Sequence, residues 1–228
     1  MLPRIWGTWR GLAPREKSDK NTMDTTTRLI LLRHGEVEMR YQRVFGGRID
    51  MGLSPHGQDQ VRALAAHLKA LPIEGLYVSP MKRAQQSVAP LAAANRRTPI
   101  ILPELQEVDF GAWTGLRWEQ VRERFGVTAF DWLRELDRGG IPEAESMTDF
   151  RRRVEAALGR VCAAHAGGTV AVMCHGGVIR MMLASLLDLP LPKMAAFEID
   201  YASMTVVDHH PRKTEVQLLN YTPWRSPS

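Results

Sequence analysis

Two stretches of the chain share one design. Leu31-Leu32-Arg33-His34-Gly35 and Met173-Cys174-His175-Gly176-Gly177 each run from apolar residues into a histidine followed by glycine. A neutral imidazole is a nucleophile, and a guanidinium presents paired N–H groups to phosphate oxygens. Arg33 stands beside the first histidine, and Arg83 follows Ser79-Pro80. A phosphate monoester resists attack because its oxygens are negative, so imidazoles and guanidiniums gathered at one place describe phosphoryl transfer. Zinc is the chemical rival, because His34, His175, Glu107 and His209 or His210 make a ligand set on paper. Clustered guanidinium groups would repel a cation, which makes phosphate the better guest.

These residues need a sheet to hold them. Arg28 to Leu32 reads as a buried strand, and Glu74 to Val78 and Thr169 to Met173 read as two more. If Arg28 to Leu32 and Thr169 to Met173 are parallel neighbours, His34 and His175 emerge side by side at their carboxyl ends. Gly46-Gly47, Gly52 and Pro55 mark a loop before a helix from about Gly57 to Leu71, whose Val61, Leu64, Ala65 and Leu68 form an apolar stripe. Ser79 reads as an N-cap with Pro80 at the first helical position, which puts Arg83 in the first turn.

Ile100 to Leu102 is a short third-strand candidate, followed by a loop carrying Glu107, Phe110, Gly111, Trp113 and Gly115 and a more helical stretch to about Leu136. Gly139-Gly140 and Pro142 break that stretch before an amphipathic helix from Thr148 to His165. Another helix follows Gly176-Gly177 through Leu187, and Ala195 to Val207 and Glu215 to Leu219 read as strands joined by a polar turn. Alternating strands and helices predict an α/β fold, a three-layer α/β/α sandwich with a mostly parallel central sheet.

The 228 residues suffice for one domain with a substantial core, and 44% apolar with 24% charged residues is ordinary globular composition. The net charge of +5 owes +3 to residues 1–22, where Arg4, Arg10, Arg15, Lys17 and Lys20 face Glu16 and Asp19. The rest is only mildly basic, which argues against nucleic acid as a partner. No apolar run is long enough to cross a bilayer, and the leader lacks the apolar core of a secretory signal, so no membrane partner is expected. Residues 1–27 read as a disordered or misassigned extension with Met23 a candidate initiator, and residues 223–228 as a flexible tail. Cys162 and Cys174 lie in apolar surroundings and read as buried reduced thiols, which suits a cytoplasmic protein; a Cys174 nucleophile beside His175 is the lesser reading.

The ordered series Leu32 to Glu36, Gly47 with Asp50, Leu53-Ser54, Gly57 with Gln60, Ser79-Pro80 with Arg83 to Ser87, Glu107 with Phe110-Gly111 and Trp113, Glu145-Ser146 and His175-Gly176-Gly177 resembles the histidine phosphatase superfamily, also called phosphoglycerate-mutase-like. The likeness covers residues 28 to 220, and the domain is set at 28–222 with a lid about 112–142. The resemblance implies that His34 takes the phosphoryl group as a phosphohistidine, with Arg33, Arg83 and His175 holding its oxygens. Glu107 is then the acid that protonates the leaving alcohol and the base that activates water. No metal and no cofactor are implied.

Around that core the sequence leaves choices open. Ser54 either approaches the phosphate or caps a turn, and Asn220 is a weaker candidate of the same kind. Arg40 and Arg48 either face substrate or lie on a solvated loop, and Arg40 departs from the asparagine that relatives commonly carry there. The Arg151-Arg152-Arg153 run reads as a wetted helix face, and Trp113, Trp118 and Trp132 either wall a pocket or pack the lid. The short stretch from Glu107 to His175 lacks the long insertion of bisphosphate-dependent mutases. It favours the phosphatase branch acting on a small organic phosphate monoester over mutase-type transfer or a noncatalytic phospholigand-binding protein. The family leaves homodimerisation open.

Overall fold

The computed structural model describes residues 25–225. Expectations about residues 1–24 and 226–228, Met23 as initiator among them, lie outside the described residues. Within them six strands form one sheet in the order β3-β2-β4-β1-β5-β6. The strands are β1 Thr27–Arg33, β2 Gly75–Val78, β3 Ile100–Ile101, β4 Thr169–Cys174, β5 Met204–His210 and β6 Lys213–Tyr221. β3, β2, β4 and β1 run parallel, β5 is antiparallel to β1, and β6 is antiparallel to β5. The helices are α1 Pro55–Leu68, α2 Lys82–Asn95, α3 Trp118–Phe125, α4 Trp132–Asp137, α5 Met147–Ala164 and α6 Gly176–Leu186.

The period-2 geometry of β1 explains why its sequence is continuously apolar. Leu29 and Leu31 point into a core shared with α5 and α6, while Ile30 and Leu32 point into one shared with α1 and α2. All four are fully buried, and each contributes about 1.5–3 kcal/mol of transfer free energy. Helices therefore cover both faces, as the three-layer reading requires. Arg28 is bidentate to Asp208, Nε to Oδ1 at 2.8 Å and Nη2 to Oδ2 at 2.9 Å, and pins β1 to β5 in register.

Three local expectations need correction. Helix α2 begins at Lys82 with Met81 as its N-cap, not at Pro80 after Ser79; the buried Ser79 hydroxyl faces the His175 ring instead. Ala195 to Ser203 is not strand: Leu191–Ala196 forms a 3-10 turn, and the chain then bends over the end of β1. Ser203 O accepts from Arg33 N at 3.1 Å and Ala202 N donates to His34 O at 3.0 Å, hydrogen bonds that hold the bend against the site. Thirdly, residues 223–225 are not a loose tail, because Trp224 Nε1 donates to Tyr201 O at 2.9 Å and the indole meets the His56 ring edge-on.

Candidate active site

The register of the parallel pair β1–β4 sets Arg33 opposite Cys174, so the next residues, His34 and His175, leave the sheet together. His34 N donates to Cys174 O at 3.1 Å, extending the ladder by one step. The imidazole centroids are 5.1 Å apart with the planes inclined by 61°. Gly35 is required just beyond: a Cβ there would lie 2.6 Å from Gly57 O, so only glycine lets the chain pass the start of α1.

The His34 ring has a defined tautomer. Its Nδ1 is 2.8 Å from Gly35 O, and a carbonyl can only accept, so Nδ1 carries the proton. Arg83 Nε donates to Nε2 at 3.3 Å, consistent with a lone pair there. Burial first, and then the charges of Arg83 and Arg33, hold the His34 pKa well below 6.5. His175 is lowered in the same way, by burial and then by Arg83. Its Nε2 lies 2.8 Å from Ser79 Oγ, while its buried Nδ1 has no hydrogen-bond partner among the described residues.

Both expected arginines are present. Arg83 is buried, its Nη1 and Nη2 donating to Ile49 O at 2.9 Å and Gly47 O at 2.8 Å, so the long loop after β1 aims the guanidinium. Burial pulls its pKa down to about 10, with Glu107 opposing, and it stays cationic at neutral pH. Arg33 stacks 4.1 Å above the Tyr201 ring and donates through Nη1 to Ile199 O, while its Nε is buried without a partner among the described residues. Glu107 reaches the same place from the loop after β3. Its Oε1 accepts from Val108 N at 3.0 Å and its Oε2 from Gly177 N, in the first turn of α6, at 3.2 Å.

Arg33, His34, Arg83 and Glu107 line one cleft of about 460 Å³. Phe45, Phe110, Trp118, Phe130 and Trp132 form its apolar wall, and Phe130 is 81% exposed at the rim. Trp118, Phe130 and Trp132, from the 112–142 region, line the cleft, whereas Trp113 is wholly buried in the core.

Several weaker candidates stand elsewhere. Ser54 is the N-cap of α1, its Oγ accepting from Gly57 N at 2.9 Å and donating to Glu36 Oε1 at 2.7 Å, so the capping reading replaces the phosphate reading. Arg40 is 71% exposed and pairs with Glu38, and Arg48 pairs with Asp109 at 3.4 Å and Glu145 at 3.6 Å; neither lines the cleft. Asn220 is occupied by Asp200. His209 pairs in register with Thr27, at the far end of β1 from His34, so it cannot complete a metal set with the two site histidines. Burial pushes the Cys174 thiol up, and the Cys162 thiol up to about 11, so neither is a thiolate at neutral pH.

Three side chains escaped the sequence reading. Arg153 is not on a wetted face. It pairs with both oxygens of Glu145, at 2.9 and 2.6 Å, and donates to the carbonyls of Glu104, Gln106 and Glu107 at 2.7, 2.6 and 3.2 Å. It thereby clamps the loop that carries Glu107. The signal was its spacing, three residues after Phe150 and four before Ala157 on the buried stripe of α5. Arg180 on α6 and Tyr201 on the bend also line the cleft.

Known proteins match this chain along most of its length. It is 34% identical over 200 residues, 87% of this chain, to a bifunctional protein of Mycobacterium tuberculosis, of which it spans only 55%. It is 31% identical over 195 residues to phosphoserine phosphatase 1 of Hydrogenobacter thermophilus, covering 86% of this chain and 92% of that protein. The crystal structure of the α-ribazole phosphatase from Shigella flexneri has the same fold, with a TM-score of 0.76 at 22% identity over 86% of this chain and 96% of that one. Residues 29–222 match the family model of the histidine phosphatase superfamily, branch 1, and the chain belongs to that superfamily.

Proposed function

We propose that the protein is a phosphomonoesterase that hydrolyses a small organic phosphate through a phosphohistidine at His34. The observation that carries this reading is the His34 ring itself: proton on Nδ1, lone pair on Nε2, and the Nε2 edge facing the Arg83 guanidinium. In this reading Nε2 attacks phosphorus in line as the bond to the leaving alcohol breaks. Arg33, Arg83 and His175 take up the charge of the equatorial oxygens. Glu107 gives its proton to the departing oxygen, then removes one from the water that cleaves the phosphoramidate. The guanidinium cluster meets the electrostatic demand without a metal. The phosphoserine phosphatase likeness supports a small monoester as substrate.

Turnover of a panel of phosphate monoesters in the presence of a chelator tests the reading, with His34→Ala beside the intact protein. Phosphate release that disappears in His34→Ala is the expected result. Release that persists in His34→Ala, or that requires an added metal, contradicts it. Isomerisation of a phosphoglycerate dependent on a bisphosphate would indicate a mutase instead.

A further inference from the structure

Arg33 is held at the site without a counter-ion. It pairs with no carboxylate among the described residues, and the cleft sets it beside two like charges, Arg83 and Arg180. After burial, the Arg33 charge helps lower the pKa of both. What fixes Arg33 comes from one short segment, the bend from Ile199 to Tyr201. Ile199 O accepts from its Nη1, and the guanidinium carbon lies 4.1 Å from the centre of the Tyr201 ring. Nε and Nη2 have no acceptor among the described residues. These two N–H groups point the same way and make the side-on fork that takes two phosphate oxygens. A carboxylate would also fix Arg33, but it would occupy that fork and cancel the charge meant for the substrate. An aromatic face holds the flat side of the guanidinium and leaves its in-plane donors free.

The bend is tied from behind. Asp200 N donates to Asn220 Oδ1 at 2.6 Å, Arg225 Nη1 donates to Asp200 Oδ2 at 2.9 Å, and Trp224 Nε1 donates to Tyr201 O at 2.9 Å. Tyr201 lines the cleft, and its hydroxyl meets no hydrogen-bond partner among the described residues, so what it brings to the site is the ring. The ring also meets the His34 imidazole, centroids 5.6 Å apart, but that imidazole is already held by Gly35 O and Arg83. We infer that Tyr201 is a positioning residue of the phosphoryl site: its ring holds the Arg33 guanidinium flat, so that the Nε and Nη2 fork is presented to the transferred phosphate.

The inference rests on the phosphatase reading, and inorganic phosphate as a ligand beside p-nitrophenyl phosphate as a substrate separates the two. Tyr201→Leu should weaken phosphate binding, followed by calorimetry, and lower kcat/KM, each by about five- to thirtyfold, the range of one partly desolvated cation–π contact. Tyr201→Phe keeps the ring and should recover most of that loss. Added to Arg33→Gln, Tyr201→Leu should cost less than about twofold more, because the group it steadies is gone. A loss that multiplies in full in the double variant is a general loosening and overturns the role. Undiminished phosphate binding in Tyr201→Leu, or a Tyr201→Phe as impaired as Tyr201→Leu, overturns it as well. Either of these with turnover by the intact protein leaves the phosphatase reading standing and removes the Tyr201 role alone. An intact protein that binds phosphate but hydrolyses no monoester counts against the phosphatase reading, and phosphate binding by the two Tyr201 variants then decides the positioning role by itself. An intact protein that neither binds phosphate nor hydrolyses the ester contradicts both.

Discussion

Arg83 Nε and His34 Nε2 face each other across 3.3 Å, and the opposite ring nitrogen of His34 is fixed 2.8 Å from Gly35 O. The imidazole is therefore held by its back edge while its reactive edge meets a positive charge. A cation beside a nucleophile disfavours protonation of that nucleophile and attracts an anionic electrophile to the same spot. Arg83 does both, and the carbonyls of Gly47 and Ile49 keep it there.

Burying neutral histidines ties stability to pH. The pKa values of His34 and His175 are both held well below 6.5 in the folded chain, by burial first. Below pH 6.5 the unfolded chain binds protons that the folded chain refuses. The stabilising term is thus fully present above that pH and is lost as pH falls through the window down to the folded pKa values. Thermal unfolding followed from pH 7.5 to 5 should show Tm falling with acidification, and falling less steeply in His175→Gln. An identical slope in the variant would contradict this account.

Gly177→Ala should separate fold from activity. The backbone there is helical, and alanine is favoured over glycine in a helix by roughly 0.5–1 kcal/mol. The added Cβ would, however, sit 2.5 Å from Glu107 Oε1, the movable end of a side chain. The fold accommodates it by displacing the carboxylate. Tm should hold or rise while kcat drops by about tenfold or more, the scale of a displaced general acid. Unchanged kcat would mean that Glu107 does not act from this position.

Arg153 should behave unlike its neighbours in the run. Arg151 and Arg152 form exposed pairs within α5, and Arg151→Ala should change stability by no more than about 0.5 kcal/mol. Arg153→Ala leaves the largely buried Glu145 with only the longer contact to Arg48 and the Asp109 amide, and strips the donor from three loop carbonyls, a loss of about 1–3 kcal/mol. Arg153→Lys retains the charge but not the fork, so the Glu107 loop loosens; kcat should fall with KM little changed, and Arg153→Ala should fall further. A loss confined to KM would contradict the positioning role.

The pattern that made the sheet legible was strong. Both His-Gly stretches follow apolar runs that the parallel β1–β4 register places side by side, so His34 and His175 could be paired from sequence alone. Arg83 stands out by its place after Ser79-Pro80, the acid-base role of Glu107 comes only with the family resemblance, and the cleft contains both. What remained hidden depended on long-range acceptors. Arg153 looked solvated because a run of arginines usually is, and only the carbonyls of residues 104, 106 and 107 reveal its task. Ser79 looked like a cap because Pro80 follows it, yet its hydroxyl faces His175, which follows β4 as the N-cap of α6. The bend over β1 read as strand although its Phe197, Ile199 and Tyr201 only alternate with Glu198 and Asp200, and the left-handed φ of 47° at Ala202 has no local sequence signal.

The central claim is that His34 Nε2 becomes covalently phosphorylated. Rapid mixing of the protein with a monoester that it turns over, followed by denaturation in alkali, preserves a phosphohistidine for intact-mass and peptide analysis. The account predicts a phosphoryl adduct on the peptide carrying His34, lost on acid treatment and absent in His34→Ala. Steady turnover with no adduct at any quench time, or an adduct that remains in His34→Ala, would contradict it.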